Sequence, residues 1–255
     1  KYPYDVLTPI HKILKFLPHP SYMIFIYLLG LYIFILSSGF KTRYAFFGAI
    51  CYGLSTYLLI IIQVGHNTKA VALGYLPLVF ASLNFVFKNK SIWPVIALSL
   101  FIGLQIRSNH YQISYYMFIL VGIFLIFKLF EFYQDKKIKS FGYKILKICF
   151  SIFIALGLNA TSLLSTYEYS KYSTRGKSDL TIDENGRKLE ITDGLSYNYI
   201  TQFSMGIFES LNIIIPRING GSSTENLGLE SNFYKEIRNL GFSPSQSASL
   251  SSNVP

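Results

Sequence analysis

The sequence predicts a mainly α protein, a polytopic transmembrane helical bundle of about six spans followed by a mixed α/β extracytoplasmic segment. Three observations predict it. Of the 255 residues 51% are hydrophobic and only 14% charged, too few charges to coat an ordinary soluble globule. Apolar runs near membrane length recur six times before residue 160, each bounded by charged or turn-forming residues. The net charge of +10 is unevenly placed: residues 1–160 hold 15 basic and 3 acidic residues, and residues 161–255 hold 8 and 10. On a soluble domain such an excess would point to nucleic acid. Set between apolar runs it marks membrane sidedness, and no nucleic-acid partner is expected.

Residues 1–20 are polar and rich in Pro, and read as an extracytoplasmic or interfacial segment. The first span, 21–40, is charge-free and starts after Pro18 and Pro20. The second, 44–64, follows the basic pair Lys41 and Arg43 across a short turn. The third, 70–87, carries Gly74 and Pro77 near its middle, which predicts a kink that neighbouring helices accommodate. The fourth, 92–106, is short and contains Pro94, so it crosses with local thinning or enters only partway. The fifth, 113–130, and the sixth, 145–158, flank a charged connection over 128–147. Residues 21–158 are therefore the membrane block.

Basic residues in short loops stay on the cytoplasmic side. Lys41, Arg43, Lys88, Lys90, Lys128, Lys136, Lys137, Lys139, Lys144 and Lys147 fall on one side of this topology; Lys1, Lys12, Lys15, Lys69 and Arg107 fall on the other. The first side is expected in the cytoplasm of a bacterial inner membrane. Residues 1–20, the two turns at 65–69 and 107–112, and everything after residue 158 then share the external face.

Residues 159–255 change character: acids appear, and Gly, Ser and Asn become common. A helix is expected to continue to about Tyr172. Residues 180–182 and 188–192, joined around Asn185 and Gly186, read as a β-hairpin. Helical stretches are expected near 197–203 and 207–214, a flexible loop at 219–223, and little order in the last dozen residues. Both chain ends read as cuts through a longer protein. Cys51 and Cys149 lie inside apolar runs without metal-type neighbours and read as packing residues. Asn159 opens a glycosylation sequon, expected to be fortuitous at a membrane boundary.

The candidate chemistry lies on the external side. The turn after the second span holds His66, Asn67 and Lys69, and the turn after the fourth holds Arg107, Asn109, His110 and Tyr111. A cation, a His and an Asn together suit a phosphate headgroup or a sugar. Snorkelling cations and helix caps at an interface give the same composition. A third cluster follows the sixth span, with Glu168, Lys171 and Arg175 among Tyr167, Tyr169 and Tyr172. A sugar site and an interfacial amphipathic helix both fit it. No carboxylate falls within a span, which argues against ion-coupled transport built on intramembrane acids. No phosphate-cradling glycine loop, zinc-protease helix or nucleophile elbow occurs.

The stretches PYDVLTPIHKIL, LPHP, GHNTKAVALGYLPLV, NHYQISYY, TYEYSKYSTRGKSDLT and GLSYNYITQFSMG resemble, in order and spacing, the YfhO-type bacterial membrane proteins in their Bacteroidetes form. The resemblance covers nearly the whole chain. It implies an integral-membrane glycosyltransferase of the GT-C architecture, which moves a sugar from a polyprenyl-phosphate-linked donor to a cell-envelope glycan or polymer acceptor at the outer face. Membrane lipids are its other partners, and no cofactor or metal is named by it. GT-C enzymes place a catalytic acid in the first external loop, which this chain is expected to lack, so the catalytic base is unassigned and the segment alone is expected to be inactive. His66, Asn67, Lys69, Arg107, Asn109, His110, Tyr111, Glu168, Lys171 and Arg175 are the substrate-binding candidates. The alternative is a non-enzymatic scaffold or carrier for lipid-linked intermediates, which the absence of a catalytic constellation favours.

Overall fold

The computed structural model describes residues 6–171, 197–202, 204, 206–213, 215, 218 and 226–252. It divides into two compact units, Lys1–Gly194 and Leu195–Pro255. The described residues are mainly helical and include no strand. The expected β-hairpin, the 219–223 loop and the candidate Arg175 lie outside them.

The first unit contains α1 (Thr8–Leu14), α2 (Ser21–Ser37), α3 (Thr42–Gly53), α4 (Thr56–Gln63), α5 (Asn67–Lys88), α6 (Trp93–Arg107), α7 (Tyr111–Gln134), α8 (Ile138–Leu158) and α9 (Ala160–Ser170). Helices α5, α7 and α8 are long and apolar enough to cross a membrane, and α3 with α4 adds a fourth span if that bent pair is counted as one. Six spans were expected; three or four meet this length, and α2 and α6 are shorter apolar helices. Each shortfall has a local cause. α2 ends at Ser37, where the hydroxyls of Ser37 and Ser38 donate back to the Phe34 carbonyl at 2.7 and 2.9 Å, and Gly39 takes a φ of 97°. The second run breaks after Gly53, where Ser55 is extended and α4 leaves at 43°. α6 has 15 residues because Pro94 occupies its first turn, where a missing N–H breaks no helical bond. Pro94 starts this helix and does not interrupt it.

α5 is the axis of the unit. Of its membrane-length window 72% is buried, against 22% for α7 and α8, and it packs against α2, α4, α6, α7 and α8. Its contact with α2 is a backbone crossing: a Cβ on Gly30 would sit 2.9 Å from the Gly74 carbonyl oxygen, and one on Gly74 would sit 2.8 Å from Ile26 Cγ2. Only glycine admits this approach, the small-residue device of helix pairs in lipid. The expected accommodation of Pro77 is visible in one bond. Pro77 has no N–H for the carbonyl of Leu73, four residues back. The Tyr52 hydroxyl donates to that carbonyl at 2.9 Å, and α5 continues through Pro77 as one helix.

Two polar ends close the bundle. At the first, called here the lysine end, Asn84 Nδ2 donates to the Ser37 and Ser38 hydroxyls at 3.1 and 3.0 Å, and Lys88 Nζ donates to the Ser37 carbonyl. Lys144 Nζ donates to the Val86 and Asn89 carbonyls, both at 2.7 Å, and Lys147 Nζ to that of Lys90 at 3.0 Å. α8 therefore begins at Ile138, well before the expected 145, because Lys139, Lys144 and Lys147 are helical residues rather than members of a loop. The connection shrinks to the residues around Lys136, which has a φ of 56°. The cysteines are also corrected: Cys51 and Cys149 are free thiols on exposed helix surfaces, next to exposed Ile50 and Phe150. An apolar run in lipid has an apolar outside, so apolar neighbours do not imply burial. Asn159 is buried and donates to the Gly103 and Ala155 carbonyls at 3.0 and 2.9 Å, a packing role consistent with a fortuitous sequon.

The second unit holds α10 (Tyr197–Thr201), a 3-10 turn (Phe208–Ile213), α11 (Asn232–Asn239) and α12 (Pro244–Ser252). Ser231 caps α11 by accepting from the Tyr234 N–H at 3.1 Å. α12 overturns the expectation of little order at the end. It packs on α11 with Ser247 and Ser251 buried, and the Ser251 carbonyl accepts from the Leu227 N–H at 2.9 Å.

The Tyr52 repair gives a double-mutant test. Tyr52→Phe strands the Leu73 carbonyl and should destabilise the first unit by about 1–3 kcal/mol. In a Pro77→Ala background, where an N–H is restored to that carbonyl, the same substitution should have little effect on the unfolding midpoint in detergent. Equal losses in both backgrounds would show that the hydroxyl does not compensate for the proline.

Candidate functional site

The opposite end carries all four histidines of the chain, His11, His19, His66 and His110. α1 closes it. Leu7 is buried in the core and lies against Gly103, where an added Cβ would meet Leu7 Cδ1 at 3.3 Å. Ile10 and Leu14 pack on the same cluster, together with Leu17 just beyond the helix. With this apolar stripe held down, Thr8, His11 and Lys15, at i, i+3 and i+7, form the adjoining polar stripe.

Each member of that stripe has a partner in the bundle. Arg107, at the last turn of α6, donates from Nη2 to Thr8 Oγ1 at 3.1 Å. His11 Nδ1 and the Tyr75 hydroxyl of α5 are 2.9 Å apart. The Lys15 ammonium lies 5.1 Å above the Tyr22 ring at the start of α2. Partial burial, and then the positive charge of Arg107, hold the Lys15 ammonium below the ordinary lysine pKa. Arg107 thus acts on this stripe twice, by its hydrogen bond to Thr8 and by its charge on Lys15.

The two turns named from sequence share this end. In the first, Gly65 has a φ of 77°, and His66 is the exposed residue preceding α5. Asn67 Oδ1 lies 3.1 Å from His19 Nε2, tying the turn to the segment before α2. Lys69 stands 5.3 Å above the Tyr57 ring; as a cation in the first turn of α5 it opposes the helix dipole. In the second turn Asn109 has a φ of 58°, so its residue type is accounted for by the left-handed bend that asparagine tolerates. His110 caps α7, its Nδ1 accepting from the Ile113 N–H at 3.4 Å, which places the neutral ring's proton on Nε2. Burial lowers the His110 pKa below the ordinary value; a backbone hydrogen bond opposes this, while the charges of Lys69 and His66 add to it. That electrostatic coupling connects the two turns.

Among the described residues the third cluster is joined to this end at its edge. The Tyr111 and Thr166 hydroxyls are 3.1 Å apart, linking α7 to α9. Glu168 and Lys171 are exposed on or just after α9, with Lys171 over the Tyr167 ring at 4.9 Å. The sequence reading missed Thr8, His11, Lys15, His19 and Tyr75. The spacing of 8, 11 and 15 was available as a signal. Tyr75 was not, because it stands within an apolar run and only the fold brings it to His11. An apolar pocket of about 330 Å³, lined by Phe34, Pro77, Phe80 and Phe124 among others, contains none of these groups.

No family model, curated protein or solved structure matches this chain.

His110 supplies a test of the coupling. With a folded pKa below the unfolded value of about 6.5, its contribution to stability is complete above that value and is lost as pH falls toward the folded pKa. An NMR titration should place its midpoint below 6.5. Lys69→Ala should move the midpoint only partway back, because burial is the larger cause, and Lys12→Ala should not move it. No response to Lys69→Ala would mean that the turns do not interact.

Proposed function

We propose that the chain is part of a YfhO-type, GT-C-like glycosyltransferase of the bacterial inner membrane, which transfers a sugar from a polyprenyl-phosphate-linked donor to a cell-envelope acceptor. The observation that supports this most is the gathering of His66, Lys69, Arg107 and His110 with α1 at one end of an apolar helical bundle. Cations beside a neutral His110 at the membrane surface suit a lipid phosphate: the cations neutralise charge, and His110, with its proton on Nε2, adds a hydrogen-bond donor. The lysine end faces the cytoplasm in this reading, as retention of basic loops requires. The histidine end and the segment after α9 are then external. α2 and α6 complete six spans by local thinning of the bilayer and snorkelling of flanking residues.

In membranes containing the full-length protein, Lys69→Ala and Arg107→Ala should each reduce glycosyl transfer from radiolabelled polyprenyl-phosphate sugar by at least about 10-fold, the loss of one charge-assisted contact. Unchanged turnover in both would sink the reading and leave the carrier. Sidedness is read separately, by labelling cells with an impermeant thiol reagent in a background lacking Cys51 and Cys149. Thr68→Cys and Ser140→Cys both place the thiol at exposed positions; the first should label in intact cells and the second only after lysis. The reverse pattern would invert the topology.

A further inference from the structure

We infer that the apolar pocket on the flank of α5 binds one acyl chain of a membrane phospholipid at mid-bilayer depth. The inference rests on the reading of α5 and α7 as membrane spans and is independent of the transferase reading. Four helices build the pocket: α2, α3 and α5 supply Phe34, Tyr52, Pro77 and Phe80, and α7 supplies a rim that includes Leu120 and Ile123. Its wall is continuous. The Phe80 ring meets Phe34 of α2 and Phe124 of α7 edge-on, each pair with centroids 5.9 Å apart, so rings from three helices form one packed surface.

The chemistry of the lining selects the ligand. Its one polar side-chain group, the Tyr52 hydroxyl, already donates to the Leu73 carbonyl, and a sugar, phosphate or peptide group entering here would lose its hydrogen bonds to water without replacement. A volume of about 330 Å³ is at the small end for a ligand cavity, room for a length of one chain and not for a headgroup. Depth identifies the source. Pro77 stands 10 residues after Asn67 and 11 before Lys88, roughly 15 Å along α5 from either end, where the medium is hydrocarbon. The rim faces that medium: Leu120, Ile123 and Phe127 are 45%, 46% and 70% exposed on a helix whose membrane-length window is only 22% buried. No residue of the histidine end lines the pocket, so nothing ties its ligand to that end, and the chain is that of the surrounding phospholipid.

The test sets occupancy against exposure. The full-length protein, in nanodiscs of phosphatidylcholine, receives a trace of phosphatidylcholine with a diazirine near the end of one acyl chain, and the photolabelled residues are mapped by mass spectrometry. Phe153, midway between Lys147 and Asn159 on α8, is the control: it is 73% exposed and outside the pocket, whereas Phe80 is half-buried. A chain held in the pocket should label Phe80 more strongly than Phe153, against the order of exposure. Leu120→Trp, which fills the rim, should cut labelling of Phe80 about 10-fold, equivalent to about 1.4 kcal/mol of chain binding, and leave Phe153 unchanged. Leu120 is exposed, and an unchanged melting temperature confirms that the variant folds; Ile123→Trp serves as a second filling variant with the same expected loss. Labelling that follows exposure, or that responds to neither tryptophan, means ordinary surrounding lipid and overturns the site. Label on Phe153 with none on Phe80 or Ile123 means that protein covers the pocket, which also overturns it. Displacement of the label by a trace of polyprenyl phosphate, and not by the same amount of unlabelled phosphatidylcholine, would assign the pocket to an isoprenoid chain and overturn the phospholipid source.

Discussion

The close crossing of α2 on α5 fixes most of the first unit. Gly30 and Gly74 bring the two helices to backbone contact, and the parallel course this imposes fixes what meets at either end. Toward the lysine end it sets Asn84 and Lys88 beside Ser37. Toward the histidine end it sets Tyr75, the residue after Gly74, in the same core cluster as Tyr22, Met23 and Leu7, where its hydroxyl receives His11. A side chain at either glycine would force the helices apart, and both polar ends would lose their register. Helix association in lipid lacks a hydrophobic drive between apolar faces and depends on such packing and on interhelical hydrogen bonds. The Tyr52 bond to the Leu73 carbonyl belongs to the same region. The axial helix carries a proline because a neighbour stands ready to satisfy the carbonyl it frees.

The two ends use cations differently. At the lysine end the ammonium groups of Lys88, Lys144 and Lys147 donate to carbonyls at or just beyond the C-terminal ends of α2 and α5. Those are the unsatisfied acceptors every helix leaves at its C-terminus, and a cation there also favours the helix dipole. These lysines hold the bundle closed. At the histidine end Lys15 and Lys69 stand over tyrosine rings, and Lys69 sits at the dipole's disfavoured end. Here the cations meet aromatic side chains, where the three lysines of the other end meet backbone carbonyls.

Much of the fold was legible in the sequence because apolar runs dictate helices. Every expected run from 21 to 158 contains helix, and the candidate turns fall where the charges placed them. Span length was less legible. The sequence shows how far apolar residues extend, but not where Ser37 and Ser38 turn back on Phe34 or where Ser55 goes extended. Burial was least legible. In lipid the inside and the outside of a helix are both apolar, so Cys51 and Cys149 read as core while being exposed, and Lys144 read as loop while being 7% exposed. The site was half legible for the same reason. Cations and histidines in turns announce themselves, whereas Tyr75 within an apolar run and a seven-residue helix at the start do not.

The net charge of +10 therefore combines two populations that composition cannot separate. One lies at the lysine end and, in Lys88, Lys144 and Lys147, ties helix ends together through hydrogen bonds to backbone carbonyls. The other is small: Lys15, Lys69 and Arg107 at the histidine end, which meet the Tyr22 ring, the Tyr57 ring and the Thr8 hydroxyl. Both populations are engaged within the protein, one with backbone carbonyls at helix ends and the other with tyrosine rings and a threonine hydroxyl, and a sum over composition hides that difference, which only the fold reveals.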